Sequence, residues 1–419
     1  MTQTISLDML QTTGVGALAL IVGMFLTRRV GWLQKFCIPS PVSGGLIFSV
    51  ISLLLYKVWG IELVFDGTLK DVFMLAFFTS VGFQSNLKVL TKGGRTLILM
   101  LLVLVGIIVL QNVLPLCVTW LMGVNPLVGM AAGSISMAGG HGTAGGFSSV
   151  LEEMGLQGAA TVSMAAATLG LIAGSIVGGP LAERLIQHHM KSEPQAAEDY
   201  SLDPGMAGLE SDEASPDGRK ERLSSHEREF QQNLTATYTL LLVMAIGTVG
   251  SKFLQYTGVT FPTYFGALVM AAIVRNVMEL MPQTPRLPME KVVSVGNICL
   301  SLFLGMAMIS LRLWELQSLA LPLLVILLLQ VVLIVMLTYF VAFRMLGRDY
   351  DAAVLVAGIC GFGLGATPNA MANMSAVCYK YHYTVKPFLI VPIIGAMFVD
   401  IMNTGVITLF LNFLKSHAL

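Results

Sequence analysis

The chain is short of charge. Of its 419 residues only 11% are Asp, Glu, Lys or Arg, and these cancel to a formal net charge of zero. A soluble domain usually carries ~25%. With no basic excess there is no field to attract nucleic acid. Cysteine is sparse too: Cys37, Cys117, Cys299, Cys360 and Cys378 form no CxxC pair. A disulfide framework or a cysteine metal cage is therefore not expected, and the five read as small apolar residues. No Lys or Arg precedes the first apolar run, in MTQTISLDML, so a cleaved signal peptide with its basic start is not expected. Nor does any Lys or Arg lie deep within an apolar run.

What the chain has instead is length of apolar sequence. Hydrophobic residues make up 55%, and runs such as Met9 to Thr27, Thr96 to Gly123 and Leu319 to Phe343 carry no charge. About 20 such residues cross a bilayer. The runs predict spans at 9–27, 40–57, 72–87, 96–122 and 157–182, then at 235–256, 262–280, 293–311, 319–343 and 387–414. Two further runs, 126–150 and 351–376, are apolar but broken by Gly, Ala, Ser and Pro. A polar stretch, 188–232, separates an N-terminal half (1–187) from a C-terminal half (233–419) and reads as a solvated cytoplasmic linker.

Charge placement decides how the two broken runs lie. If each enters and leaves on one side, with the N-terminus outside, 19 of the 24 Lys and Arg residues face the cytoplasm. Only Lys57, Lys70, Lys252, Arg312 and Lys415 then lie outside, together with both termini. If both runs crossed fully, the bias would reverse. The positive-inside rule selects the re-entrant arrangement. Limbs of about 12 residues at 1.5 Å each reach roughly 18 Å, far enough for a tip at the midplane of a ~30 Å hydrocarbon core. A faint repeat supports two equivalent halves: Leu75, Phe78 and Ser85 recur as Leu300, Phe303 and Ser310. Five spans and one hairpin are an odd number of crossings, so the halves are expected to be inverted. The expected fold is an all-α polytopic membrane protein of two inverted-topology repeats, each with about five transmembrane helices and one re-entrant hairpin.

The hairpin tips carry the chemistry. The first, SISMAGGHGTAGGF from Ser134, reads literally as GxGxxG, but no strand precedes it and no acid follows between Glu153 and Glu183, so a dinucleotide site is excluded. Clustered glycines unwind a helix, and small residues also let helices pack closely. In the second tip, GFGLGATPNAMANM from Gly361, Thr367 and Pro368 read as a helix cap followed by proline at the first helical position. Thr143 is the corresponding cap at the first tip. Helix N-termini offer unpaired N–H groups and a partial positive charge, which suit an anion. Ser134, Ser136, Gly140, His141, Gly142 and Thr143, with Gly365, Ala366, Thr367, Asn369 and Asn373, are the candidate substrate contacts.

One carboxylate is deep. Asp400, in PIIGAMFVDIMNTG, falls near the middle of the last expected span, with Asn403 on the same face. A carboxylate there marks an ion, proton or amine site, with Thr168 the hydroxyl at the related position of the first half. The bland reading pairs Asp400 with Asn403 or with backbone donors. His141 has no companion ligands for a zinc site, leaving ligand contact, packing and proton sensing open. Gln111, Asn112 and Gln330 are mid-span amides suited to helix–helix hydrogen bonding. One Asp and one His without a nucleophile make a poor case for an enzyme, and a channel would need a repeated filter motif.

At these residues the sequence resembles the bacterial sodium/glutamate symporter family. The resemblance rests on IPSPVSGGL (38–46), DVFMLAFFTSVGF (71–83), GGHGT (139–143), YDAAVLVAGICGFGLGATPNAMANM (350–374) and VPIIGAMFVDIMN (391–403). It implies a multi-pass carrier of the bacterial inner membrane that takes up L-glutamate with Na⁺ as coupling ion and no other cofactor. It also implies a homodimer and an elevator-like motion. A symporter for another small carboxylate, such as citrate or malate, is the alternative.

Overall fold

The structure is a computed structural model that describes residues 3–85, 94–189, 218–256, 261–281, 287–317 and 319–417. Apart from one parallel ribbon it is all helix. The ribbon pairs β1 (Gln3–Leu7) with β2 (Ile61–Phe65), Gln3 opposite Ile61 and Leu7 opposite Phe65. In the first half follow α1 (Met9–Arg29), α2 (Gly31–Lys35), α3 (Ser40–Leu54), α4 (Thr68–Gln84), α5 (Gly94–Met122), α6 (Pro126–Ala131), α7 (Gly140–Glu153) and α8 (Ala159–His189). The second half contains α9 (Gly218–Gln255), α10 (Phe265–Leu280), α11 (Met289–Ile309), α12 (Ala320–Leu337), α13 (Phe343–Met345), α14 (Tyr350–Gly363), α15 (Thr367–Lys380), α16 (Val385–Met397) and α17 (Val399–His417).

Local signals explain many of the boundaries. Asp8 and Gln11 form a reciprocal capping box at the start of α1. Proline at the first or second position opens α3, α6 and α15. The π-helical turn Leu55–Trp59 that extends α3 stops at Gly60, whose φ of 65° an L side chain rarely adopts.

Seven described helices are long and apolar enough to cross a membrane, or eight when α16 and α17 count as one bent span. Of the ten expected spans, two are shorter helices, α4 with 17 residues and α10 with 16. The last differs more. It breaks at Phe398, beyond the internal Pro392, and α16 and α17 meet at 47°. Asp400 therefore sits near the middle of the bent pair, as expected, but in the first turn of its second helix rather than within a continuous one. The linker also differs at its end, because α9 begins at Gly218; the part of it between 190 and 217 lies outside the described residues.

The outer faces are apolar. Leu10, Trp120, Leu121 and Leu409 are each at least 72% exposed, which in water would expose a large sticky surface and in hydrocarbon costs nothing. Inside, helices approach at small residues: a Cβ on Gly44 would run into the Ala19 carbonyl oxygen, so α1 and α3 cross with their backbones in contact.

The halves interleave. One packed group holds α1, α3 and α4 with α9, α10 and α11; the other holds α5 to α8 with α12 and α14 to α17. Each group thus takes elements from both halves of the chain. At one end of the molecule Arg312 pairs with Glu62 at 3.1 Å, its N–H donates to Thr161 Oγ1, and Trp314 stacks on Tyr56 at 4.2 Å. Elsewhere Lys380 pairs with Glu183 at 2.7 Å and Lys291 with Glu229 at 2.6 Å. The Glu183 carboxylate holds the exposed Lys380 amine above its ordinary value.

Candidate functional site

Each half contains one interrupted helical unit in the second packed group. In the first, α6 ends at Ala131, residues 132–138 follow as a run of turns, and α7 begins at Gly140. In the second, α14 ends at Gly363 and α15 begins at Thr367 after only three residues. The latter unit has its two ends tied together. The Tyr350 hydroxyl donates to the His382 carbonyl oxygen at 2.6 Å, the two rings stack at 3.8 Å, and Thr384 bonds Asp351.

The two interruptions touch. Gly140 has a φ of 57°, and a Cβ built on it would lie 2.8 Å from the Gly365 carbonyl oxygen. Two requirements converge on that glycine: a left-handed backbone and room for the facing unit. Helix geometry leaves the first-turn N–H groups of α7 and α15 without intrahelical acceptors, so both sets of free donors lie close to this junction.

Buried amides hold the broken backbones. Asn112 Oδ1 accepts from the Ser134 N–H at 3.2 Å, and Asn112 Nδ2 donates to the Ser134 hydroxyl at 2.8 Å. Gln111 Nε2 donates to the Gly363 carbonyl oxygen at 2.6 Å, and Gln330 Nε2 donates to the Gln111 carbonyl oxygen at 2.8 Å. Asn403 Nδ2 donates to the Ser134 carbonyl oxygen at 3.0 Å. Asn369 and Asn373 donate to the carbonyl oxygens of Leu171 and Gly174 on α8. The bonds to Ser134 and Gly363 satisfy main-chain groups that the interruptions set free, while Gln330, Asn369 and Asn373 join one helix to another, the role expected of Gln330. Replacing Asn112 with Leu strands the Ser134 N–H in a dry interior, at a cost of about 1–3 kcal/mol. Thermal unfolding in detergent is expected to show that loss, with Asn112→Asp milder.

Several expected contacts fall elsewhere. Thr143 is not the cap of α7; Gly139 is, and Thr143 lies in the first turn with its N–H bonded to the Gly139 carbonyl oxygen. The second cap is Ala366, in extended backbone, so Thr367 and Pro368 each move one position into the helix. The Thr367 side chain packs over Gly395 of α16. Ser136 is fully buried, and its single O–H lies within reach of the carbonyl oxygens of Ala131 and Ser163, which turns it inward. Asn403 reaches Ser134 rather than Asp400. Gly142, Gly145 and Gly146 receive the rings of Phe77, Phe303 and Tyr264. Part of the glycine cluster therefore makes room for aromatics, while Gly139 and Gly140 make the break.

His141 Nε2 lies 3.0 Å from Thr168 Oγ1. That hydroxyl already donates its single hydrogen to the Met164 carbonyl oxygen at 2.8 Å, so the His141 Nε2–H is the donor in the pair. Histidine here ties α7 to α8.

Several polar groups on these elements are left over. Buried and without a hydrogen bond are Thr143 Oγ1, Asn369 Oδ1, Asn403 Oδ1, Gln111 Oε1 and Gln330 Oε1. The half-buried Asp400 carboxyl faces the Thr143 hydroxyl, short of a formed hydrogen bond, and lies near Tyr264. Tyr264 stacks on Phe78 at 3.7 Å and its hydroxyl is 3.4 Å from Thr404 Oγ1. Tyr264 and Thr404 escaped the sequence reading. Thr404, one helical turn beyond Asp400, shares its face by spacing alone, whereas only the fold brings Tyr264 beside them. Oxygen-rich, with one carboxylate and two sets of helix N–H donors, the region can hold a small anion, an ammonium or a hard monovalent cation.

The structure is that of an all-α, multi-pass membrane protein with two interrupted helical units in contact; in polytopic transporters, interrupted helices of this kind are a common place for small polar solutes to bind. Comparison with known proteins is more specific. A model of the sodium/glutamate symporter family matches residues 5–383. The sodium/glutamate symporter of Escherichia coli (strain K12) is 40% identical over 408 residues, which is 97% of this chain and 98% of that protein. That of Haemophilus influenzae (strain Rd) is 36% identical over 400 residues, 95% of each. The chain belongs to the sodium/glutamate symporter family.

Proposed function

We propose that this protein carries L-glutamate into the cell together with Na⁺, across the bacterial inner membrane, by alternating access. Family membership supports the substrate and the ion. The contact of Gly140 with the Gly365 carbonyl oxygen, beside Asp400 and Thr143, is the observation that carries the mechanism.

In this reading glutamate lies at the junction of the two interrupted units. Its carboxylates face the free N–H groups at the starts of α7 and α15. Na⁺ takes oxygen ligands from the hydroxyl and amide oxygens left unpartnered there, and Asp400 balances either the ion or the substrate ammonium. Coupling requires only that ion and substrate stabilise the same conformer, because linkage is reciprocal. The second packed group, which contains both units, moves as a body against the first, and the linker is cytoplasmic with both termini periplasmic. The molecule works as a homodimer.

Purified protein in liposomes, with radiolabelled L-glutamate outside and an inward Na⁺ gradient, is the direct test. Uphill accumulation abolished by collapsing the gradient is expected, with malate and citrate as weak competitors. Accumulation driven by malate or citrate but not glutamate would overturn the substrate; gradient-limited flux would overturn the carrier.

Re-entrance has its own test. In a chain with the exposed Cys117 replaced by serine, cysteines at Asn125 and Glu153 are expected to react with a membrane-impermeant maleimide from the periplasm. Those at Arg348 and Tyr379 are expected to react from the cytoplasm. All four sites lie within about 20 residues of an interruption, and all are exposed. Labelling of Asn125 and Glu153 from opposite sides would reject the hairpin.

A further inference from the structure

Thr143, Asp400 and Thr404 belong to the second packed group, whereas Tyr264 beside them comes from the first. Tyr264 immediately precedes α10, and Ser251 of α9 fixes the backbone on either side of it. The Ser251 hydroxyl donates to the Thr263 carbonyl oxygen at 2.7 Å and accepts from the Gly266 N–H at 3.2 Å. The fully buried ring thus projects from an anchored turn of the first group.

Its seat is a glycine of the other group. A Cβ on Gly146 of α7 would run into the Tyr264 ring, just as one on Gly145 would run into Phe303 of α11. Phe78 of α4 stacks on Tyr264 with ring centroids 3.7 Å apart, and Phe147 of α7 meets it edge-on at 6.1 Å. Packed on these sides, the ring delivers its hydroxyl to one place, 3.4 Å from Thr404 Oγ1 and near Asp400. A buried tyrosine needs some partner for its hydroxyl, and a main-chain carbonyl would serve. This one meets a second hydroxyl, which makes no other hydrogen bond among the described residues. A threonine hydroxyl has one hydrogen and two lone pairs. With its hydrogen given to the Tyr264 oxygen, Thr404 keeps both lone pairs for a cation on the face of α17 that it shares with Asp400.

We infer that Tyr264 is a positioning residue of the transport site, which rests on Asp400 belonging to that site: seated on Gly146, it fixes the Thr404 hydroxyl beside Asp400 from the opposite packed group. Ring and seat lie on different groups. A displacement of one group against the other lifts the ring from Gly146 and carries the hydroxyl away from Thr404. The site therefore holds its cation most tightly in the register described here, and relaxes that hold when the groups shift.

Tyr264→Phe keeps the ring and removes only the hydroxyl. In liposomes, at least one of two constants, the Na⁺ concentration for half-maximal uptake or the KM for glutamate, is expected to rise about tenfold, the size of one hydrogen bond to a charged site. The kcat should stay within about twofold. Gly146→Ala displaces the ring with its hydroxyl intact and should raise the same constant. The double variant should then be no worse than the more affected single one, since both changes remove one contact. Gly145→Ala displaces Phe303, which has no hydroxyl, and should leave that constant unchanged while lowering thermal stability. Tyr264→Phe with both constants unchanged would overturn the inference, whether or not kcat or stability fell, because that is the behaviour of a core ring. So would additive effects of Tyr264→Phe and Gly146→Ala, or an equal rise from Gly145→Ala. The natural protein, assayed alongside, separates the failures: no uphill uptake by it defeats the transport reading, whereas normal uptake with an indifferent Tyr264→Phe defeats this inference alone.

Discussion

Asp400→Asn is expected to abolish Na⁺-driven glutamate uptake while leaving the protein folded. The substitution keeps shape and volume and removes only charge. A unit charge pair at 4 Å with an effective dielectric of 20 is worth about 4 kcal/mol, so affinity for the partner cation should fall by roughly 10²- to 10³-fold. Asp400 lies in the first turn of α17, just past the bend at Phe398, and faces the Thr143 hydroxyl. Neighbouring amides already have partners on the main chain, so they need no help from the carboxylate. Calorimetry separates the two roles open to it. If Asp400 holds Na⁺, the variant shows a raised Na⁺ requirement with glutamate affinity restored at high Na⁺. If it holds the ammonium, glutarate, which lacks the amine, should bind the variant as well as it binds the natural protein. Unchanged Na⁺-driven uptake would remove Asp400 from the site.

Gly140→Ala is the second large effect. A Cβ at positive φ costs about 1–2 kcal/mol by itself, and here it also meets the Gly365 carbonyl oxygen at 2.8 Å. That neighbour is backbone held within the second interruption, so it cannot swing aside as a side chain would. Gly123 is the control. Its φ of 64° is nearly the same, yet a Cβ there meets nothing within 4 Å. Gly123→Ala should therefore lose only the backbone strain, about 1–2 kcal/mol of stability, and retain uptake. Gly140→Ala should lose at least tenfold in uptake, with weakened glutamate binding. Equal effects from the two variants would mean that the junction is a packing contact alone.

Much of the architecture was readable along the chain because its causes are local. Runs without charge set the long helices. Clustered Gly and Pro placed interruptions in 126–150 and 351–376, and the structure shows broken units from Pro126 to Glu153 and from Tyr350 to Lys380. Motifs around GGHGT and GATPNAM located both tips and named the family. Other features could not be read this way. Caps shifted because a cap is decided by one residue's dihedral angles: extended Ala366 rather than Thr367, and Gly139 rather than Thr143. Gly142, Gly145 and Gly146 looked like unwinding signals until Phe77, Phe303 and Tyr264 were found seated on them. A glycine that breaks a helix and a glycine that admits a ring are identical in sequence.

By itself, then, the sequence determined the solvent of this protein, the elements that cross it and the places where those elements break, since hydropathy and backbone propensity act over a few residues. Only the tertiary structure decided what meets at the breaks. It set Gly140 against Gly365, Asp400 facing Thr143, Asn403 on Ser134, and elements of the two halves of the chain into shared groups. The physical reason is separation: those partners lie more than 200 residues apart, and each pairing satisfies a main-chain group or fills a space that exists only once the helices have packed.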